Sequence, residues 1–364
     1  INTTLIGVDA GISEVSGSTA AGFLGVGDNV DATNCKVVIT KSVTGTNGAA
    51  GVAGTIGSES VFNHVPVTLT GVTVSADGGN AAGYALEIKA RAIVMGQSHV
   101  TLGGYQTSGN VLVPVNAAVI RGSQNAAGYA CTVAGSVGEA HVVGCGQIHG
   151  GNAAGFAVEV SGSISDAFVS PALTQDDAGY LGNSNANLSV TGTDSAAGFV
   201  LNVAKNGSVS TAYTLCAVSS SGTIEIEKEP EPTEETTEPS EATDPSESTT
   251  APTEIQKESV ISTYGFAGTN SGTISRSAAN VDLDSGFGFV GVNNGLITTC
   301  YGWYGDGKDD SATTARGKIA GTGNCYSTYI AQLENQARDQ KSVMVYDDDG
   351  LASEVTPNKL QSLS

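Results

Sequence analysis

Residues 155–164 read Gly-Phe-Ala-Val-Glu-Val-Ser-Gly-Ser-Ile, and this stretch decides the fold because its pattern recurs along the chain. The pattern is a glycine, an aromatic residue, five further residues, a second glycine, one residue, and then Ile or Val. A fifth copy, with two inserted residues, begins at Gly198-Phe199, and looser relatives begin at Gly22, Gly51, Gly83 and Gly179. Repetition at a period of roughly 20 to 50 residues predicts a stacked-repeat architecture. The four full copies open at Gly128-Tyr129, Gly155-Phe156, Gly265-Phe266 and Gly288-Phe289.

Within the copies, apolar residues occupy every second position after the leading glycine. Tyr84, Leu86 and Ile88 follow Gly83 in this way. A period of two predicts a strand with one buried face. If each copy is one coil, its leading aromatic ring should stack inside on the next ring, and the asparagine before it should lie at a corner, where Asn tolerates positive φ. The predicted ring ladder is Tyr84, Tyr129, Phe156 and Phe199, and the predicted corner residues are Asn80, Asn125 and Asn152.

The repeat favours a coiled β architecture over separate domains. No segment has the length and periodicity of a crossover helix, which parallel strands in an open sheet require. The leading glycines are unevenly spaced, and the longest step between Gly22 and Gly198, which runs from Gly83 to Gly128, has room for an extra coil. We therefore predict an all-β fold, a parallel β-helix or β-solenoid built from glycine-rich repeats of about 20–45 residues. The alternative is a row of antiparallel β-sandwiches, whose unit would be nearer ~100 residues.

An acidic segment forms the clearest boundary in the sequence. Between Glu225 and Glu258 lie 12 acidic residues, two lysines and five of the nine prolines. Such a segment buries too little apolar surface to offset its ordering entropy, so we expect it to be disordered. Its composition resembles the spacers of secreted and wall-attached proteins of Gram-positive bacteria. The predicted domains are a β-solenoid over 1–222, a disordered linker over 223–259, a second solenoid segment over 260–327, and a short helix with a truncated tail over 328–364.

Composition and charge exclude several classes of partner. Of 364 residues, 49 are glycine and only 5% are aromatic, which suits many short strands joined by tight turns. The formal net charge of −21 repels phosphate, so neither nucleic acid nor anionic lipid is an expected partner. No apolar run approaches the ~18 residues that span a bilayer, so we expect no membrane insertion.

The two downstream copies align with each other at an offset of 23 residues. Residues 265–274 read GFAGTNSGTI and residues 288–297 read GFVGVNNGLI. This run resembles the GLUG motif, a glycine-rich repeat of bacterial surface proteins, although Val158-Glu159-Val160 stands upstream where the motif has Gly-x-Asn. The resemblance implies a β-helical, secreted or cell-surface protein, often active in adhesion, and implies no catalytic residues. The motif positions that carry it are Gly265, Phe266, Asn270, Gly272, Gly288, Phe289, Asn293 and Gly295.

Two candidate structural sites lie near the end of the sequence. Asp347, Asp348 and Asp349 are candidate Ca²⁺ ligands because Ca²⁺ takes carboxylate and carbonyl oxygens, but no complete loop with a distal glutamate surrounds them. A weaker acidic cluster occupies residues 306–310. Cys300 and Cys325 lie one coil apart, which brings two strands to about 4.8 Å, within the range of a disulfide. The alternative is a pair of buried free thiols.

Catalytic and metal signals are weak. A glycosidase needs two carboxyls about 5–10 Å apart on one face. Asp176-Asp177 is the acidic pair placed at a coil edge, and neither His149 nor the basic pair Lys89 and Arg91 completes a known order around it. The four histidines share no metal-ligand spacing, so no cofactor is expected apart from the candidate Ca²⁺.

The sequence therefore predicts a non-enzymatic surface protein of a Gram-positive bacterium, an adhesin or stalk presenting a repetitive solenoid face to host or microbial glycans or proteins. One alternative is a β-helical polysaccharide lyase or glycoside hydrolase, which convergent carboxylates with a basic residue would favour. A face lined by Ser, Thr, Asn and small residues would favour the adhesin or stalk. The other alternative is a purely structural spacer.

Overall fold

The computed structural model describes residues 3–108, 111–171, 187–227, 257–283, 286–298, 300–304, 319–320, 343–346 and 352–355. Within these ranges the chain consists of β-strands and their connections, with no α-helix. Nearly all strand pairs are parallel. The predicted all-β class with parallel strands is therefore confirmed. The helix predicted near the start of 328–364 lies outside the described residues.

Most strands belong to one large sheet of 26 described strands. Its longer members are Asp9–Ala21, Lys36–Ala50, Gly146–Ala154, Ser163–Ser170, Leu188–Ala197, Ser208–Ser220 and Ala278–Leu283. Its short members are Thr3–Ile6, Val30–Thr33, Val61–Asn63, Val67–Thr68, Thr73–Ala76, Asn80–Ala82, Ile93–Met95, Val100–Thr101, Ala118–Gly122, Asn125–Ala127, Ser136–Gly138, His141–Val143, Thr263–Tyr264, Thr273–Ser275, Leu296–Thr298, Tyr301–Tyr304, Ile319–Ala320, Val343–Tyr346 and Ala352–Val355.

A small sheet of eight parallel strands lies beside the large one. Its members are Leu24–Gly27, Ala53–Ile56, Ala85–Ile88, Ala130–Val133, Ala157–Val160, Val200–Val203, Ala267–Asn270 and Val290–Asn293. Each strand begins two residues after the leading glycine of a copy. Successive copies pair in register, as where Ala85 pairs with Ala130 and Ala130 with Ala157. Each copy therefore forms one layer, stacked on the layer of the preceding copy, and this fits a β-helix in outline.

The leading aromatic rings stack through the core as predicted. Tyr84 and Tyr129 lie with ring centroids 4.6 Å apart and planes 6° apart, and the series continues through Phe156 and Phe199 at 4.6–4.9 Å. Phe266 and Phe289 extend it by two layers at 4.9 Å. Because the strand spacing is about 4.8 Å, one ring per layer gives a continuous stack.

The prediction that Asn80, Asn125 and Asn152 lie at a corner with positive φ was wrong. Asn80 and Asn125 begin strands, Asn152 lies within one, and none of the three has a positive φ. Their amides instead form a ladder: Asn125 Nδ2 donates to Asn80 Oδ1 at 2.9 Å, and Asn152 Nδ2 donates to Asn125 Oδ1 at 3.1 Å. Ser195 Oγ continues the ladder by donating to Asn152 Oδ1 at 2.8 Å. Asparagine is thus used here for its side-chain amide, which can both donate and accept between layers.

The left-handed corner lies elsewhere in the layers: in six of them it directly follows a short strand of the large sheet, and at Asp166 and Thr211 it lies within a long strand. Eight residues in matching positions adopt φ between 47° and 66°. The backbone N–H groups at this corner pair with the next layer, as where Asn34 donates to the Asn63 carbonyl at 2.9 Å. The eight residues are Gly7, Asn34, His64, Gly96, Glu139, Asp166, Thr211 and Arg276.

The long step from Gly83 to Gly128 contains no extra coil. Its additional residues form an antiparallel hairpin of Gly104–Ser108 and Val111–Val115, while the layers on either side pair directly. The Tyr105 hydroxyl donates to the Pro171 carbonyl at 2.7 Å and so connects the hairpin to the segment that follows Ser163–Ser170.

The strands on both sides of the acidic segment belong to adjacent layers. Val200–Val203 pairs with Ala267–Asn270, and Ser208–Ser220 pairs with Thr273–Ser275. Thr223–Glu227 and Lys257–Ile261 form an antiparallel hairpin at the base of the acidic segment, whose residues 228–256 lie outside the described ranges. This differs from the expected two segments joined by a linker, since the same ladders continue past the insertion.

Candidate functional site

Several sites proposed from the sequence lie outside the described residues. These are Asp347, Asp348 and Asp349, the cluster at 306–310, Asp176-Asp177, and Cys325. The Cys300–Cys325 disulfide therefore stays a prediction. Cys300 is buried, and its Sγ lies 3.3 Å from the Thr298 carbonyl oxygen.

Two columns of apolar residues run across the layers where the small sheet meets the preceding strands of the large sheet, and we call the surface above them the groove. We define the floor of the groove by these two columns, whose members belong largely to apolar clusters separate from the main core and whose alanines are fully buried. One column begins with alanines, and the other carries larger aliphatic side chains or cysteine. The first column is Ala82, Ala127, Ala154, Ala197, Tyr264 and Phe287, and the second is Leu86, Cys131, Val158, Leu201, Gly268 and Gly291.

The two columns exchange large and small residues at one layer. Tyr264 follows the alanines, and glycine takes the facing positions from Gly268 onward. A Cβ on Gly268 would lie 3.2 Å from the Tyr264 ring, and a Cβ on Gly291 would lie 2.3 Å from it. The Tyr264 ring therefore fits only because these residues have no side chain. The Tyr264 ring stacks on Phe287 with centroids 5.5 Å apart.

The two walls of the groove are polar. The amide ladder of Asn80, Asn125, Asn152 and Ser195 forms one wall. The other wall is the next outward-facing column of the small sheet, which presents hydroxyl, amide and carboxylate groups in successive layers. That column runs Glu87, Thr132, Glu159, Asn202 and Thr269.

A pocket of about 250 Å³ occupies the groove where the floor changes from aliphatic residues to Tyr264. Its described lining residues are Asn152, Val158, Glu159, Ser195, Leu201, Asn202, Tyr264, Gly268 and Thr269. Burial raises the pKa of the Tyr264 phenol, so this hydroxyl is neutral at ordinary pH. No lysine, arginine or histidine occurs among these lining residues. The pocket thus combines an apolar floor, hydroxyl and amide groups, and one carboxylate.

The sequence did not predict this pocket, although one difference between the upstream and downstream copies marks its position. Val158-Glu159-Val160 was recognised as standing where the downstream copies have Gly-x-Asn. The structure places Glu159 opposite Asn202, and Asn202 opposite Thr269, so the pocket lies at the junction between the two kinds of copy. That junction was the available signal.

A second series of rings lies on another face of the stack. His99, His141, Phe168 and Tyr213 follow one another, with the His141 and Phe168 centroids 3.7 Å apart. Burial, with a smaller contribution from His99, lowers the pKa of His141 to about 3. His149 lies on a different strand and pairs with Arg121 and Thr191. His99 and His141 thus stack in adjacent layers and His64 acts electrostatically on His99, whereas His149 stands apart from these three.

Neither a metal centre nor a membrane span is found in the described ranges. No group of three or more His, Cys, Asp or Glu side chains converges there in a way that would hold a metal ion. In the same ranges, no helix has the length and apolar character needed to cross a bilayer.

Comparison with known proteins adds no relative. No protein-family model, no curated protein and no solved structure matches the chain.

Proposed function

We propose that the chain is a β-solenoid recognition module or stalk of an extracellular, cell-surface protein, and that it binds glycans or proteins without transforming them. The observation that carries this proposal is the pocket lining, which consists of Asn, Ser, Thr and apolar residues with a single carboxylate. A lining of this kind offers hydrogen bonds and apolar contact but little acid–base chemistry.

The stacked layers suit such a role mechanically. Each layer hydrogen-bonds to the next along several ladders, and an aromatic ring stack runs through six layers of the core. Repeat proteins of this type form elongated bodies whose loops vary while the frame is kept. The acidic insertion and the hairpin at 104–115 would then be variable attachments on one rod. The resemblance of residues 265–297 to GLUG repeats supports an extracellular location of this kind.

The enzymatic alternative finds less support at the groove. Glu87 and Glu159 share a column, but Thr132 lies between them, so they are two layers, or about 10 Å, apart. This separation is at or beyond the upper limit for a pair of glycosidase carboxyls. A lyase would also need a base and a cation near a uronate, and the described pocket lining contains no cationic residue.

The proposal is tested by applying the full 364-residue chain to arrays of glycans, mucins and matrix proteins. Saturable and selective binding is expected, together with unchanged polysaccharide chain length after prolonged incubation. Release of reducing ends or of unsaturated uronates would establish the enzyme instead. An array on which nothing binds would contradict recognition and leave the structural spacer.

A further inference from the structure

The pocket beside Tyr264 has the chemical character of a sugar subsite. We propose that it binds a neutral pyranose residue of a glycan chain that lies along the groove. This inference rests on the proposed recognition function and names the ligand class for that site.

The pocket is divided into an apolar side and a polar side. Val158, Leu201 and the Tyr264 ring belong to the apolar clusters, whereas Asn202, Thr269 and Glu159 line the polar column. A pyranose ring has the same division, since its C–H groups present apolar patches and its hydroxyls project from the rim. Sites for such ligands pair apolar surface with a few placed polar groups.

The polar groups mix donors with acceptors. Asn202 and Thr269 make no side-chain hydrogen bond to any described residue, so their capacity remains available to a ligand. An amide and a hydroxyl each both donate and accept, as a sugar hydroxyl does. A lysine or arginine side chain from a protein partner can only donate, and Glu159 is the one acceptor-only group in the described lining.

Charge selects against acidic sugars. Glu159 adds a carboxylate to the pocket, and the chain as a whole has a formal net charge of −21. Bringing a uronate, a sialic acid or a sulfated sugar beside Glu159 would place like charges together without a compensating cation in the described lining. The ligand expected here is therefore uncharged.

The column of polar residues also gives the line along which the glycan would lie. Glu159, Asn202 and Thr269 stand in three consecutive layers, which are about 4.8 Å apart. A glycan lying along the column would meet one polar group per layer.

The test uses the full chain and defined probes. Methyl glycosides of glucose, galactose, mannose and N-acetylglucosamine, with their linear disaccharides, which are too short to reach Thr132 from Thr269, are titrated by saturation-transfer NMR and calorimetry. Thr269→Val removes one hydroxyl and keeps the side-chain shape. Thr132→Val is the matched control, because Thr132 lies in the same column and has similar exposure but lies outside the pocket.

We expect a neutral oligosaccharide to bind, Thr269→Val to weaken it about fivefold, and Thr132→Val to leave it unchanged, as the loss of one hydrogen bond predicts. Glu159→Gln should keep neutral binding within about threefold and admit an oligogalacturonate that the unmodified chain rejects.

Three results would overturn the inference. Neutral sugar binding that is equally insensitive to Thr269→Val and to Asn202→Ala would place glycan recognition elsewhere, with the proposed function intact. Binding of a lysine-rich peptide, but no sugar, that is abolished by Glu159→Gln would make the partner a cationic protein segment. Failure of every sugar, peptide and array component to bind would reject the inference and the recognition function together.

Discussion

Tyr84 and Tyr129 allow a matched test of how this core is stabilised. The two rings are fully buried and stacked on each other, yet their hydroxyls differ. The Tyr129 hydroxyl donates to the Ser98 carbonyl at 2.7 Å, whereas the Tyr84 hydroxyl has no hydrogen-bond partner in the described structure. Burial raises the pKa of the Tyr84 phenol, and the hydroxyls of Ser98 and Tyr129 offset this only in part.

Replacing either tyrosine with phenylalanine removes one oxygen and keeps the stacked ring. Tyr129→Phe should lower the free energy of unfolding by about 1–2 kcal/mol, because it breaks a hydrogen bond and leaves the Ser98 carbonyl short of a partner. Tyr84→Phe should raise the free energy of unfolding by about 1 kcal/mol, because it removes a buried hydroxyl that forms no hydrogen bond of good geometry, although the Ser98 and Tyr129 hydroxyls act on it electrostatically.

The assay is equilibrium urea unfolding of the full chain, followed by far-UV circular dichroism. Midpoints are comparable only where the slope of the transition is unchanged, since stacked repeats can depart from two-state behaviour. Opposite shifts of the two midpoints are expected. If Tyr84→Phe destabilises the protein by as much as Tyr129→Phe, the Tyr84 hydroxyl is hydrogen-bonded, as to a buried water, and the reasoning is refuted.

Three further predictions concern the corner, the groove and the second ring series. Thr211→Gly should raise the free energy of unfolding by about 1 kcal/mol, because a β-branched residue is strained at φ 52°, whereas Ser210→Gly next to it should lower it; thermal melts of both variants decide this. Gly291→Ala should lower the free energy of unfolding, because its Cβ would meet the Tyr264 ring at 2.3 Å. In a double-mutant cycle, adding Tyr264→Ala should recover part of that loss, and strictly additive effects would contradict the contact. Since burial lowers the folded-state pKa of His141 to about 3, below its unfolded value near 6.5, the unfolded state binds more protons between these values. Stability should therefore be full above about pH 6.5 and decline toward pH 3 by up to about 1.4 kcal/mol per unit, and His141→Gln should flatten that decline in pH-resolved unfolding curves.

The core of the fold could be predicted from the sequence because an aromatic residue leads seven of the eight described strands of the small sheet, with Val52 as the exception. A leading aromatic ring followed by alternating apolar residues fixes both the strand and the face it buries, and the Tyr84 to Phe199 ladder follows. The hairpin after Gly103 could not be recognised, because an inserted hairpin and an extra coil both appear as a long gap between glycines. Only the direct pairing of Ala85 with Ala130 distinguishes them.

The corner and the pocket lacked a sequence signal for a different reason. The left-handed position is occupied by residues as unlike as His64, Glu139 and Arg276, so stacking, and not local preference, imposes the conformation. The pocket depends on which residues pair between copies of different length. Glu159 pairs with Asn202, although residues 172–186 lie between their copies in the sequence. Registers of this kind are fixed by hydrogen-bonded neighbours in other layers, which spacing along the chain does not reveal.

The pocket forms where two successive copies of the repeat differ in the size of their side chains. A surface repeated identically in every layer would offer a ligand many equivalent positions and no preferred one. Here the floor is aliphatic through Leu201 and becomes glycine at Gly268, while the facing column changes from alanine to Tyr264 in the same step. The summed side-chain volume of the two columns stays about the same, but the large side chain moves from the Leu201 column to the Tyr264 column. This leaves a recess above Gly268, beside Leu201 and Val158, and the pocket occupies it. In a protein whose layers repeat, the copies that depart from the consensus are therefore where a site should be sought, and the copies that obey it most closely are those that pair layer to layer.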